Sequence, residues 1–147
     1  MTPPFFHLRF AADMESLLEA IARLRDPVAN GGLPGEVTDL ATLALEDLAT
    51  NAIKYGGASA LPDALGIDVD RVDGEWRIVI ENDGADFDPT VDAPPVSDLP
   101  FADHPLGGLG LRMIKRRADR FEHHRVADRN RRLIAKRFPE GPSRSEI

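Results

Sequence analysis

One short stretch of the chain, Glu46-Asp47-Leu48-Ala49-Thr50-Asn51-Ala52-Ile53-Lys54-Tyr55-Gly56, gathers an acid pair, a hydroxyl, an amide and an amine. Helical spacing puts them on one side. With Glu46 at zero and about 100° per residue, Thr50, Lys54, Asp47 and Asn51 fall at about 40°, 80°, 100° and 140°. Val37, Ala41, Ala44, Leu45, Leu48, Ala52 and Tyr55 gather between about 160° and 260° and read as core. A polar arc on a lone helix is most often a solvated face. Two details point instead to a cleft. Asn and Thr are indifferent helix formers, so a solvated face gains little from them. Leu43 and Ile53 also sit in or beside the polar arc.

Two further segments could serve a ligand in such a cleft. Glu81-Asn82-Asp83-Gly84-Ala85-Asp86-Phe87-Asp88-Pro89 follows an apolar strand pattern. A carboxylate or amide at a strand end can fix the donor edge of a ligand, and Gly84 allows close backbone approach. An ordinary acidic turn explains the same residues equally well. Gly107-Gly108-Leu109-Gly110-Leu111 precedes a helical pattern. Backbone N–H groups there can cradle phosphate at a helix N-terminus. The loop lacks the Gly-Lys-Ser/Thr ending of a P-loop and the full dinucleotide fingerprint, so by itself it is weak evidence.

The elements that must position these groups follow from periodicity. Phe6, Leu8 and Phe10 alternate within a strand over Phe5 to Ala11. Asp13 is the expected N-cap of a helix carrying Met14, Leu17, Leu18, Ile21 and Leu24, stopped by Asn30-Gly31-Gly32. The second helix runs from about Glu36 to Tyr55 and ends at Gly56-Gly57. Leu65, Ile67 and Val69, then Asp73-Gly74, then Trp76, Ile78 and Ile80 give the strongest hairpin signal. Residues 84–106 show no period and hold five prolines, so a lid over about 88–106 is expected, mobile without ligand. A short helix to about Asp119 follows. Strands near Phe121–Val126 and Arg132–Phe138 flank a turn at Asp128 to Asn130. The pattern predicts an α+β fold, a two-layer sandwich with helices on one face of a mixed, mostly antiparallel sheet. One domain over 1–139 and a flexible tail over 140–147 are expected.

Composition narrows the function classes. The 147 residues suit one domain. The net charge of -7 argues against a general nucleic-acid binder. The absence of cysteine removes disulfides, thiolate metal sites and thiol nucleophiles. Met1 to Arg9 lacks the apolar core of a signal peptide, and no apolar run approaches the roughly 20 residues of a membrane span. A cytoplasmic protein without direct nucleic-acid or membrane contact is expected. His7, His104, His123 and His124 form no metal set, and His123-His124 should face opposite sides of a strand. Arg112, Lys115, Arg116, Arg117 and Arg120 make a basic segment, a solvated face or a surface for an acidic partner.

The order and spacing of the three segments resemble the gyrase and histidine-kinase ATPase superfamily with its Bergerat-type fold. Glu46 to Gly56, Gly107 to Leu111 and Phe87-Asp88-Pro89 look like the anti-sigma-factor serine kinases within it. The resemblance implies ATP and Mg²⁺ as cofactors. It implies that Asn51 offers its amide oxygen to Mg²⁺ and that Lys54 reaches phosphate. Asn82, Gly84 and Phe87 would lie at the adenine, and Gly107, Gly108, Leu109, Gly110 and Leu111 at the phosphates. The general base of the family falls on Asp47, one methylene shorter than the usual Glu, with Glu46 as the fallback. Asn82 stands where the family usually has Asp, and its side-chain carbonyl is expected to accept from the adenine amino group. Asp83 replaces it if the register shifts. The implied function is ATP-dependent phosphorylation of a serine on an anti-anti-sigma protein of the STAS type, alternating with capture of a sigma factor, by a homodimer. The alternative is a partner-binding module with weak or no ATP binding and no kinase activity. A fragment of a sensor kinase is disfavoured, because no helical hairpin carries a phosphoacceptor histidine.

Overall fold

A computed structural model describes residues 5–89 and 108–138. Strand β1 (Phe6–Phe10) leads into helices α1 (Met14–Arg25) and α2 (Gly35–Lys54), then strands β2 (Leu65–Val72) and β3 (Glu75–Asn82). Helix α3 (Gly108–Arg117) and strands β4 (Arg120–Val126) and β5 (Arg129–Lys136) follow. The expected lid from residue 90 onward, Gly107 and the tail 140–147 lie outside the described residues. No helix among the described residues is long and apolar enough to cross a membrane.

The five strands form one sheet in the order β1-β2-β3-β5-β4. The sequence pattern predicts a mixed sheet, mostly antiparallel; every described pairing is antiparallel. Alternation decides which face is covered. Phe6, Phe10, Leu65, Ile67, Val69, Trp76, Ile78, Ile80 and Ile134 turn to one side and are buried there with the helices. α2 supplies Val37, Leu40, Ala41, Ala44, Leu45, Leu48, Ala49 and Ala52 to that core and packs on α1, α3 and β3. Fully burying one such Leu or Val contributes about 1.5–3 kcal/mol.

Local chemistry sets the ends of the elements. The Asp13 carboxylate accepts from the Ser16 N–H at 2.7 Å and caps α1 as expected. The Asn30 side chain closes the chain after α1, donating to the Leu24 carbonyl at 2.7 Å and accepting from Leu33 N–H at 3.0 Å. Asp73 and Gly74 both take positive φ, 54° and 78°, the tight turn that matches the twist of β2 and β3. The second hairpin corrects the expectation. Its turn is Ala127-Asp128, with φ of 51° and 61°, rather than Asp128 to Asn130. β5 therefore begins at Arg129, and Asn130 is a strand residue.

Candidate functional site

Two of the three candidate segments, on α2 and at the end of β3, meet at one end of the sheet, and the first turn of α3 lies against Asp47 of α2. A cavity of about 330 Å³ lies between α2, the end of β3 and the start of β5. Asn51, Asn82 and Phe87 line it, together with Leu48, Asn130 and Arg132. Of the residues expected at a nucleotide, these three converge. Lys54 and Glu46 are exposed and stand outside the lining. Leu111 turns its side chain into the core, which leaves only its backbone for a ligand.

On α2 the polar arc is split by depth. Glu46 and Lys54 are exposed; Asp47, Thr50 and Asn51 are half-buried, and Leu43 and Ile53 pack against the core. Of that arc, Asn51 lines the cavity and Asp47 and Thr50 do not. Asn51 lies one turn after Asp47, on the cavity wall with Leu48, Ala52 and Tyr55. Asp47 faces α3 instead. Gly110 sits directly on it: a Cβ at that position would overlap the Asp47 carboxyl. Gly108, Leu109 and Gly110 form the first turn of α3 itself, where backbone N–H groups lack helical acceptors.

Burial in this seam raises the Asp47 carboxyl from 3.8 to about 7, and its Oδ2 has no hydrogen-bond partner among the described residues. An unfolded aspartate titrates near 3.9, about three units lower. Between about pH 4 and 7 the folded chain therefore binds the additional proton, and stability falls as pH rises through that window. Asp47→Asn removes this dependence. Its urea midpoint, measured against the parent, is expected to be more favourable at pH 8 than at pH 5. Equal differences at both pH values would contradict a buried, unpartnered carboxylate.

The strand end is built around Asn82. β3 pairs with β5 in a register that sets Asn82 opposite Asn130 and Ile80 opposite Arg132. Asn82 Oδ1 accepts from Gly84 N–H at 2.9 Å and from Asn130 Nδ2 at 2.9 Å. Its carbonyl, expected to meet an adenine amino group, is thus already engaged twice. Asp83 does not take its place. The Asp83 carboxylate accepts from Ser59 N–H at 2.8 Å and from the Ser59 hydroxyl. Glu81 lies on the other face of the sheet, where Arg9 donates to it at 2.5 Å with Arg129 and Arg131 nearby. Gly84 packs on the Gly56 carbonyl, and Ala85 N–H donates to that carbonyl at 3.0 Å. The end of α2 and the end of β3 are joined there.

Asn130 and Arg132 complete the wall, with Arg125 behind them donating to Asn130 Oδ1 and the Gly84 carbonyl, and sequence reading passes over all three. Arg132 is buried, donates to the Phe87 carbonyl at 2.8 Å, and is lowered to about 10 by burial, against the pull of Asp88 and Asp86. Its Nε also faces His123, whose Nε2 bonds Asp86 at 3.0 Å. His124 pairs with Glu122, on the opposite side of β4, as alternation requires. The available signal is polar residues at alternate positions of an otherwise apolar strand face.

Among the described residues no three His, Cys, Asp or Glu side chains could hold a metal together. Asn51 has no hydrogen-bond partner for its amide among those residues and faces the cavity. One amide oxygen with phosphate oxygens and waters fits the way Mg²⁺ is bound.

A similar solved structure is that of the RsbU and RsbW domains of Rv1364c from Mycobacterium tuberculosis, with 18% identity and a TM-score of 0.61. The match covers 92% of this chain and 32% of that one, so the chain spans about a third of the length of that protein's chain. At this identity the likeness shows the fold. No curated protein matches. The histidine kinase-like ATPase domain profile matches residues 10–136. The chain belongs to the histidine kinase-like ATPase domain family.

Proposed function

We propose that the chain is a serine-protein kinase of the anti-sigma-factor type, acting on an anti-anti-sigma protein of the STAS class and alternatively sequestering a sigma factor. Its nucleotide is a purine nucleoside triphosphate, which the family resemblance gives as ATP, used with Mg²⁺ by a cytoplasmic homodimer. The observation that carries the reading is the convergence of Asn51, Asn82 and Phe87 on one cavity, with the first turn of α3 beside Asp47. Asn51 would hold Mg²⁺, which when bound offsets phosphate charge. The N–H groups of Gly108, Leu109 and Gly110 would meet the phosphates. Asp47 would take the proton from the serine hydroxyl as that oxygen bonds to the γ-phosphorus. The bond from phosphorus to the bridging oxygen breaks, and the nucleoside diphosphate leaves. The basic face of α3, Arg112, Lys115, Arg116 and Arg117, suits an acidic partner.

One observation favours the second reading, a partner-binding module without transfer. In this structure the Asp47 carboxyl is covered by Gly110 and the Asn82 carbonyl is taken. Calorimetric titration with ATP and with GTP, each with and without Mg²⁺, separates the readings. Asn51→Ala is expected to lose at least about tenfold of the Mg²⁺-dependent affinity while circular dichroism stays that of the parent. Unchanged affinity in the folded variant would remove Asn51 from the metal site. Absence of binding to both nucleotides by the parent would favour the second reading.

A further inference from the structure

The hydrogen-bond order around Asn82 fixes which half of its amide a ligand meets. Arg125 can only donate, and its Nη1 donates to the Gly84 carbonyl at 2.8 Å and to Asn130 Oδ1 at 3.1 Å. Asn130 therefore turns its oxygen to Arg125 and its Nδ2 inward. That nitrogen donates to the Ala85 carbonyl at 2.7 Å, an atom that can only accept, and to Asn82 Oδ1 at 2.9 Å. The Gly84 N–H, which can only donate, is 2.9 Å from the same Asn82 oxygen. Rotating the Asn82 amide by a half-turn would set its NH₂ against two donors. The orientation is thus determined by groups whose donor or acceptor character is not in doubt.

Both lone pairs of Asn82 Oδ1 are used, and its Nδ2 has no partner among the described residues. Asn82 is only 4% exposed and lines the cavity. That N–H donor remains for whatever occupies this end of the cavity. A carboxylate in this place would keep a second oxygen for a base amino group. The amide offers N–H instead, and adenine would set its 6-amino donor against it. The 6-oxo group of hypoxanthine or guanine is an acceptor and complements it. Asp86 lines the same cavity; its Oδ1 bonds His123 Nε2 at 3.0 Å, and its other oxygen can accept the ring N1–H that a 6-oxopurine carries and adenine lacks.

We propose that the base end of the cavity selects a 6-oxopurine nucleotide over an adenine nucleotide, with Asn82 as the residue that sets the choice. The proposal rests on the cavity being a nucleotide site. A buried polar group left opposite a like group costs enough to separate ligands by roughly tenfold or more. Calorimetric titration of the intact chain with Mg²⁺ and ATP, ITP or GTP tests it. ITP isolates the 6-position, because hypoxanthine has no 2-amino group. ITP is expected to bind at least about tenfold more tightly than ATP, and Asn82→Asp is expected to reverse that order. Equal or tighter binding of ATP by the parent overturns the selection and leaves the nucleotide site standing. Failure of all three to bind the parent overturns both. A folded Asn82→Asp that keeps the parental order removes Asn82 as the determinant; if that variant does not fold, the order in the parent decides.

Discussion

Asp47→Asn is expected to lower serine phosphotransfer by about 10²–10⁴-fold while nucleotide affinity stays close to that of the parent. Asp47 is placed one helical turn before Asn51, so its carboxylate can serve a hydroxyl while the amide serves a metal. Burial has moved it to about 7, where a general base is both available and basic enough to accept a proton near neutral pH. The parental rate should therefore rise through about pH 7, and this rise should vanish in the variant. Glu46 is exposed, and Glu46→Gln should change little. Single-turnover transfer at saturating nucleotide removes binding from the measured rate. A rate within about threefold of the parent, less than about 1 kcal/mol of barrier, would sink the assignment. The same carboxyl lies against Gly110 in the seam of α2 and α3. On that assignment, reaching a serine would require the first turn of α3 to draw back, and transfer would be tied to a displacement of that helix.

Gly84→Val should unsettle the fold more than any change on the polar arc of α2. A Cβ at residue 84 would overlap the carbonyl oxygen and carbon of Gly56 and press on Asn82 Oδ1. No rotamer relieves this, because the obstacle is main chain. Gly56 is held by its own N–H to the Asn51 carbonyl at 2.9 Å and by Ala85 N–H to its carbonyl at 3.0 Å. Overpacking of this kind costs typically about 1–3 kcal/mol and sometimes more. For a chain of this size that is on the order of 2–12 °C in melting temperature, since each kcal/mol shifts it by roughly 2–4 °C. The cavity should lose ligand as well, because Asn51 and Asn82 sit on the two elements being forced apart. A variant melting within about 1 °C of the parent would show that the junction yields freely.

Helices and the first hairpin are legible because their signals are local. Leu17 and Leu24 on α1, and Val37, Ala41, Ala44, Leu45, Leu48 and Ala52 on α2, recur at the helical period and are buried. Asp73-Gly74 names its own turn. The second hairpin turn is hidden because Ala127 adopts a left-handed conformation that an alanine seldom takes, so nothing in its identity marks it. The earlier turn brings Asn130 into β5 and opposite Asn82. The amide network then depends on pairing between strands separated by a whole helix, which no local pattern encodes. Asn51, Asn82 and Phe87, expected together from the fixed order of their segments, do line one cavity. Lys54 has only its angle on the helix to recommend it, and as the last residue of α2 it stands outside the cavity lining.

The sheet order also bears on how the chain assembles. β2 with β3 and β4 with β5 are neighbours joined by two-residue turns, and such hairpins close within microseconds. β1 is different: Phe6 must find Val69, on the far side of both long helices. Its loop-closure entropy is recovered only once α1 and α2 have packed, so the strand that precedes both helices joins the sheet after the hairpins have formed.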